Sequence, residues 1–190
     1  MIIYLDKIYS DLEWWRAEHK ITAESQINGY LINVMEKFGE LSQALRGLEF
    51  ENTHKGAEHK IIDALCYIAV LTINAGADIP SPAKRTKIEL KKSSLDADYI
   101  LKQLVEKCAR LSYFDWGEAS AFNIILINCA YLCEYYGFDF QIAMDETIKE
   151  ISSRTGAYDE VSKKWVKDES DEAKAKWYKA DYELARLKNE

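Results

Sequence analysis

Apolar side chains recur every three or four residues through most of the chain, which is the periodicity of helices with one buried face. In the segment from about Glu24 to Leu48, these positions are Ile27, Leu31, Val34, Met35, Phe38, Leu41 and Leu45. A second segment, from about Ala57 to Ala75, is almost uniformly apolar after Asp63. We therefore predict two helices that end near Gly47 and Gly76, where a glycine commonly supplies the positive φ of a helix end. The second helix should lie at the centre of the core.

The same periodicity predicts four further helices, over about 93–111, 118–136, 140–153 and 171–187. We expect Asp139 and Ser170 to cap the last two through their side-chain oxygens. The chain has only two prolines, Pro80 and Pro82, and both fall in the linker after the second helix. The predicted fold class is all-α.

A shift of 70 positions aligns EKFGELSQALRG with EKCARLSYFDWG, and the helices that follow both end in Gly-x-Asp. This match indicates two helical hairpins, repeat one over about 22–78 and repeat two over about 93–139. Two such hairpins can close into a four-helix core. We therefore predict an all-α bundle over residues 1–153, followed by a charged, aromatic C-terminal arm over 154–190 that contains the last helix.

Charge and composition limit the partners of the chain. The formal net charge is −7 and the pI is about 5.2, so we expect no nucleic-acid partner and no membrane surface, since both carry negative charge. The N-terminal segment lacks the pattern of a signal peptide, and no apolar run reaches the length of a membrane span. We expect a cytoplasmic protein whose four cysteines are reduced and buried.

Three acidic residues suggest chemistry. Glu36 and Glu40 share one face of the first helix, and antiparallel packing would bring Asp63 of the next helix to the same level. Oxygen ligands of this kind suit Mg²⁺ or Mn²⁺, which carry phosphates. The alternative is ordinary surface ion pairing, because Lys37 lies three residues before Glu40 and Lys60 lies three residues before Asp63.

The run EKFGELSQALRG, followed after a short loop by EHKIIDALCYIAVLTINAGADI, resembles the all-α nucleotide pyrophosphohydrolase superfamily of MazG and the dimeric dUTPases. The segment from Gly137 to Asp168 is also similar to the region after the core of phage and bacterial MazG-like proteins. The resemblance implies Mg²⁺-dependent hydrolysis of a nucleoside triphosphate to a monophosphate and pyrophosphate, in a nucleotide-pool or house-cleaning role. It implies that Glu36, Glu40 and Asp63 hold the metal, with Glu36 and Glu40 catalytic, and that the chain forms a homo-oligomer.

The sequence departs from this family at two of four expected acidic ligands, where it has Lys37 and Lys60. We expect these lysines to bind substrate phosphates, together with Arg154 and Lys163 of the C-terminal arm. The same two substitutions support an alternative function, a nucleotide-binding or regulatory module with impaired catalysis. For the aromatic residues of the arm, the alternative to stacking on a nucleobase is packing against the bundle.

Overall fold

The computed structural model describes residues 2–50, 54–77, 87–91, 95–113, 119–161 and 164–188. These residues are mostly helical, as the sequence predicts, and they include four short strands. In chain order the elements are β1 (Ile2–Tyr4), α1 (Leu5–Glu18), α2 (Ala23–Phe50), α3 (His54–Ala75), β2 (Lys87–Glu89), α4 (Ala97–Tyr113), α5 (Ala119–Tyr135), α6 (Phe140–Ser153), β3 (Gly156–Asp159), β4 (Lys164–Lys167), α7 (Asp171–Lys174) and a 3-10 helix (Tyr182–Ala185).

Helix α3 is the centre of the fold, because it packs against α1, α2, α5 and α6. Its apolar residues Ile61, Ile62, Leu65 and Ile68 are fully buried, which accounts for its nearly unbroken hydrophobic sequence. Helices α2 and α3 form an antiparallel pair. The hydroxyl groups of Tyr30 and Thr72 lie 3.2 Å apart at one end, and Gly47 approaches Ala57 at the other.

Helices α4 and α5 also pack against each other, and α5 lies against α3 while α4 lies against α2. The four cysteines, Cys66, Cys108, Cys129 and Cys133, are free and buried, as predicted. None of the described helices is long and apolar enough to cross a membrane.

Two glycines end helices for different reasons. Gly137, after α5, has a φ of +83°, a conformation that side chains with a Cβ resist. Gly76, after α3, does not have a positive φ, contrary to our expectation. A Cβ at Gly76 would lie 2.5 Å from Cε1 of Phe122, so close packing between α3 and α5 requires the glycine.

Helix α6 begins and ends where the sequence predicts, with the Asp139 side chain accepting a hydrogen bond from the Ile142 N–H. The chain after α6 differs from prediction. Ser170 caps a helix as expected, but α7 has only four residues. The sequence also did not predict the two antiparallel strand pairs, β1 with β2 and β3 with β4.

The two backbone environments of Gly137 and Gly39 predict opposite effects of alanine. Gly137→Ala should lower the free energy of unfolding by about 1–2 kcal/mol, because alanine resists the positive φ. Gly39→Ala, in the interior of α2 with no atom within 4 Å of the new Cβ, should raise it by about 0.5–1 kcal/mol. Urea unfolding of the two variants measures both effects. Equal changes in the free energy of unfolding would contradict the different backbone conformations assigned to Gly137 and Gly39.

Candidate functional site

The antiparallel register of α2 and α3 brings the predicted acidic residues toward one another. Lys37 on α2 lies over the ring of Tyr67 on α3, with Nζ 4.5 Å from the ring centroid. One turn away on each helix lie Glu40 and Asp63. Burial raises the pKa of Asp63, and the charges of Glu150 and Glu40 add to that rise. The convergence of Glu40 and Asp63 at a metal site stays a prediction.

Lys37 pairs with Glu40 through a distance of 2.7 Å between Nζ and Oε2. This is the ion pair that the three-residue spacing offered as the alternative to a metal site. The Lys37 side chain is only 19% exposed, because Tyr67 covers it. A half-buried ammonium group thus lies where the carboxylates of α2 and α3 converge.

Asp63 lies on a stripe of partly buried positions along α3 and accepts a hydrogen bond from the hydroxyl of Tyr182, at 2.9 Å. Burial raises the pKa of Asp63 above its ordinary value, while the Tyr182 hydroxyl and the Lys37 charge oppose that rise. The net direction is upward, so the ionised Asp63 is not fully compensated by its surroundings.

Arg154, at the end of α6, joins the same group. Its guanidinium donates to Glu150 Oε1 at 2.8 Å and to the Tyr67 hydroxyl. Burial tends to raise the pKa of Glu150, but hydrogen bonds from the Ala180 N–H and from Arg154 outweigh burial and lower it. We call Lys37, Glu40, Asp63, Tyr67, Glu150 and Arg154 the Lys37 cluster.

Lys167 of β4 lies beside this cluster. Burial lowers the pKa of Lys167, and the positive charges of Arg154 and Lys37 lower it further. Strands β3 and β4 bring Lys167 there by packing against the bundle, since the ring of Trp165 meets His19 edge-on with 4.6 Å between centroids. For Trp165, the alternative of packing against the bundle is therefore confirmed.

The other predicted site residues have different surroundings. Glu36 is exposed on α2, and its charge reaches Lys167. Lys60 is exposed on α3, so its surroundings differ from those of the half-buried Lys37. Lys163 lies outside the described residues.

Sequence reasoning missed Tyr67, Glu150 and Tyr182. The four-residue spacing of Glu150 and Arg154 on one predicted helix was a usable signal for their ion pair. Tyr182 gave no such signal, because it contacts Asp63 from 119 positions further along the chain.

The geometry also tests the predicted metal site. In the part of the chain that the structure describes, no group of three or more His, Cys, Asp or Glu side chains is placed to hold a metal ion. Lys37 donates a hydrogen bond to one oxygen of Glu40, and the Tyr182 hydroxyl donates one to an oxygen of Asp63. This arrangement does not fit Mg²⁺ held by Glu36, Glu40 and Asp63, and Lys37 supplies the positive charge instead.

The raised pKa of Asp63 predicts how stability depends on pH. The folded chain holds the Asp63 proton more tightly than the unfolded chain, so the stabilisation from Asp63 is complete below the unfolded pKa, near 3.8. It is lost as the pH rises through the higher folded-state pKa. Asp63→Asn, which keeps an oxygen for Tyr182, should therefore be more stable than wild type at neutral pH and lose that advantage in acid.

Urea unfolding between pH 3 and pH 8 measures this difference, with Glu36→Gln as the control. The control removes an exposed carboxylate and should stay within about 0.5 kcal/mol of wild type. A stability loss in Asp63→Asn at neutral pH would show that its surroundings favour the charged form.

The chain was compared with protein-family models, with curated proteins and with solved structures, and none of these comparisons found a match. The resemblance to nucleotide pyrophosphohydrolases therefore rests on the motif residues of α2 and α3. The function has to be inferred from the side chains that those helices bring together.

Proposed function

We propose that this chain binds a nucleoside triphosphate, with the polyphosphate held by Lys37, Arg154 and Lys167. The observation that carries the proposal is that two cations share one aromatic ring. Lys37 Nζ lies 4.5 Å and the Arg154 guanidinium carbon 5.5 Å from the centroid of Tyr67. Their mutual repulsion is relieved when an anion lies between them.

Lys167, an exposed residue of β4, strengthens this proposal, because partial desolvation and the positive charges of Arg154 and Lys37 lower its pKa. An anionic ligand would remove that disadvantage. The three side chains come from α2, from the end of α6 and from β4, so they surround a ligand from different elements. A triphosphate, with charge distributed along several phosphates, matches this arrangement better than a single carboxylate does.

The tandem organisation is part of the same proposal. Helices α2 and α3 would form one hairpin and α4 and α5 its degenerate copy, as in the superfamily that the motifs resemble. Arg110 takes the place of Glu40 under the shift of 70 positions, and it pairs with Glu106 at 3.5 Å on an exposed surface of α4. The first hairpin would therefore carry the binding site of a cytoplasmic protein.

A second candidate function is Mg²⁺-dependent hydrolysis of the bound triphosphate to a monophosphate and pyrophosphate. The motif residues Glu40 and Asp63 favour it, since the superfamily that they resemble uses such acids to hold Mg²⁺. The ion pair between Lys37 and Glu40 opposes it, because Glu40 would have to leave Lys37 to act on a substrate.

Removal of single cations tests the binding site. Lys37→Gln and Lys167→Gln should each weaken binding of a fluorescent ATP analogue about tenfold, the effect of losing one hydrogen bond to a charged group. Lys102→Gln removes an exposed lysine of α4 and serves as the matched control. Fluorescence titration at fixed ionic strength measures the three affinities, and equal losses in all three variants would indicate nonspecific attraction.

Glu40→Gln separates the two candidate functions. In a binding module, this substitution frees Lys37 from its partner and should tighten triphosphate binding about two- to fivefold, the strength of an exposed ion pair. In a hydrolase, it should abolish turnover. Pyrophosphate release from ribo- and deoxynucleoside triphosphates, with Mg²⁺ or Mn²⁺, is measured beside the affinity. Turnover by wild type that Glu40→Gln removes would establish the hydrolase.

A further inference from the structure

The last described part of the chain, residues 178–187, lies across α3 and α6, and we call it the C-terminal strap. Tyr182 is its main anchor, with only 5% of its surface exposed. The Tyr182 hydroxyl lies 2.9 Å from Asp63 Oδ1 and 3.0 Å from Thr147 Oγ1. Ala185 is also buried. The strap therefore reaches the Lys37 cluster directly, through Asp63.

The strap also donates hydrogen bonds to two glutamates of α6. The Ala180 N–H donates to Glu150 Oε2 at 3.0 Å, and the Asp181 N–H donates to Glu146 Oε2 at 3.1 Å. The Tyr178 hydroxyl donates to the same oxygen of Glu146. Glu150 is thus shared, since its other oxygen accepts from Arg154.

Mostly polar contacts hold the far end of the strap. The Leu187 N–H donates to the Gly137 carbonyl at 2.8 Å, and the Asp139 N–H donates to the Ala185 carbonyl at 2.7 Å. Arg186 pairs with Glu58 at 3.0 Å. Partly exposed ion pairs and hydrogen bonds of this kind contribute little stability each. Local opening of the strap, with the bundle still folded, therefore costs mainly the burial of Tyr182 and Ala185.

Opening of the strap would change the charge at the Lys37 cluster. Asp63 and Glu150 would each lose a donor, Glu146 would keep its ion pair with Lys149, and Arg154 would be left as the main partner of Glu150. An anionic ligand would then face carboxylates with fewer donors and compete with Glu150 for Arg154. Docking of the strap lessens both obstacles, because Glu150 then has the Ala180 N–H as a second donor beside Arg154.

We propose that the C-terminal strap closes the Lys37 cluster, so that strap docking and polyphosphate binding favour each other. Donors from Tyr182, Ala180 and Asp181 satisfy the nearby acids. A ligand can then compete more easily with Glu40 for Lys37 and with Glu150 for Arg154. This inference rests on the proposed function, since it assigns a regulatory element to the same site. Tyr182 is a positioning residue here, because it acts on the ligand through Asp63.

Hydrogen exchange of the full chain tests the coupling, with inorganic tripolyphosphate as the ligand. The amides of Ala180 and Asp181 report on docking, because their glutamate partners protect them only while the strap is closed. Saturating tripolyphosphate should slow their exchange. Thermodynamic linkage sets the size of this effect. The factor by which saturating tripolyphosphate slows the exchange of these amides should approach the affinity of the docked form for tripolyphosphate divided by the affinity of the detached form.

Two variants supply that ratio. Ala185→Asp places a carboxylate at a buried position and should detach the strap, which should weaken tripolyphosphate binding at least about fivefold. Tyr182→Phe keeps the ring and removes only the hydroxyl, so it should weaken binding about two- to threefold, a fraction of one hydrogen bond. Leu184→Ala changes a strap residue that is 60% exposed and should match wild type.

The outcomes are distinguishable. If wild type binds tripolyphosphate but the strap variants bind equally well or more tightly, or if the ligand accelerates exchange of the two amides, the strap does not close the site, while the proposed function stands. If no form binds tripolyphosphate, the proposed function fails and the strap inference fails with it. If Ala185→Asp does not fold, hydrogen exchange of the wild-type chain and tripolyphosphate binding by the conservative Tyr182→Phe variant still test whether the strap closes the site.

Discussion

The structure depends on which groups pack and hydrogen-bond against one polar stripe of the central helix α3. Positions 59, 63 and 67 of α3 follow one another at four-residue spacing, so His59, Asp63 and Tyr67 lie along one face. Neighbouring elements bury most of the rest of α3. The C-terminal part of the chain provides a partner at each turn, which pairs His59 with Glu183, Asp63 with Tyr182 and Tyr67 with Arg154.

This stripe determines where charge can lie. A carboxylate held between helices needs donors, and Asp63 has a tyrosine hydroxyl and a nearby ammonium group in place of water. A lysine carries one positive charge on a flexible stem and cannot hold several oxygens in a fixed geometry, as Mg²⁺ does. Lys37 therefore balances the charges of Glu40 and Asp63 without creating a coordination site.

The sequence predicted the parts of this arrangement that depend on local spacing. Helix periodicity gave α2, α3 and α6 to within a few residues, and the side chain of Asp139 gave the start of α6. Three-residue spacing predicted the ion pair of Lys37 with Glu40. Each of these follows from residues that are neighbours on one helix or on two helices joined by a short loop.

The C-terminal arm could not be predicted in the same way, because contacts distant in sequence determine its conformation. A helix over 171–187 would use the N–H groups of Ala180 and Asp181 for its own hydrogen bonds. In the structure these groups donate to Glu150 and Glu146 of α6, and Tyr182 is buried against α3. Tertiary contacts thus override a helical pattern that no local residue opposes.

The same long-range contacts join the C-terminal arm to the Lys37 cluster. Glu150 accepts from the strap through one oxygen and from Arg154 through the other. Its side chain is only 13% exposed while the strap is docked, so in the closed form Glu150 depends on these two donors rather than on water. If Arg154 binds a polyphosphate as proposed, that binding depends on what the strap offers to the other oxygen of Glu150.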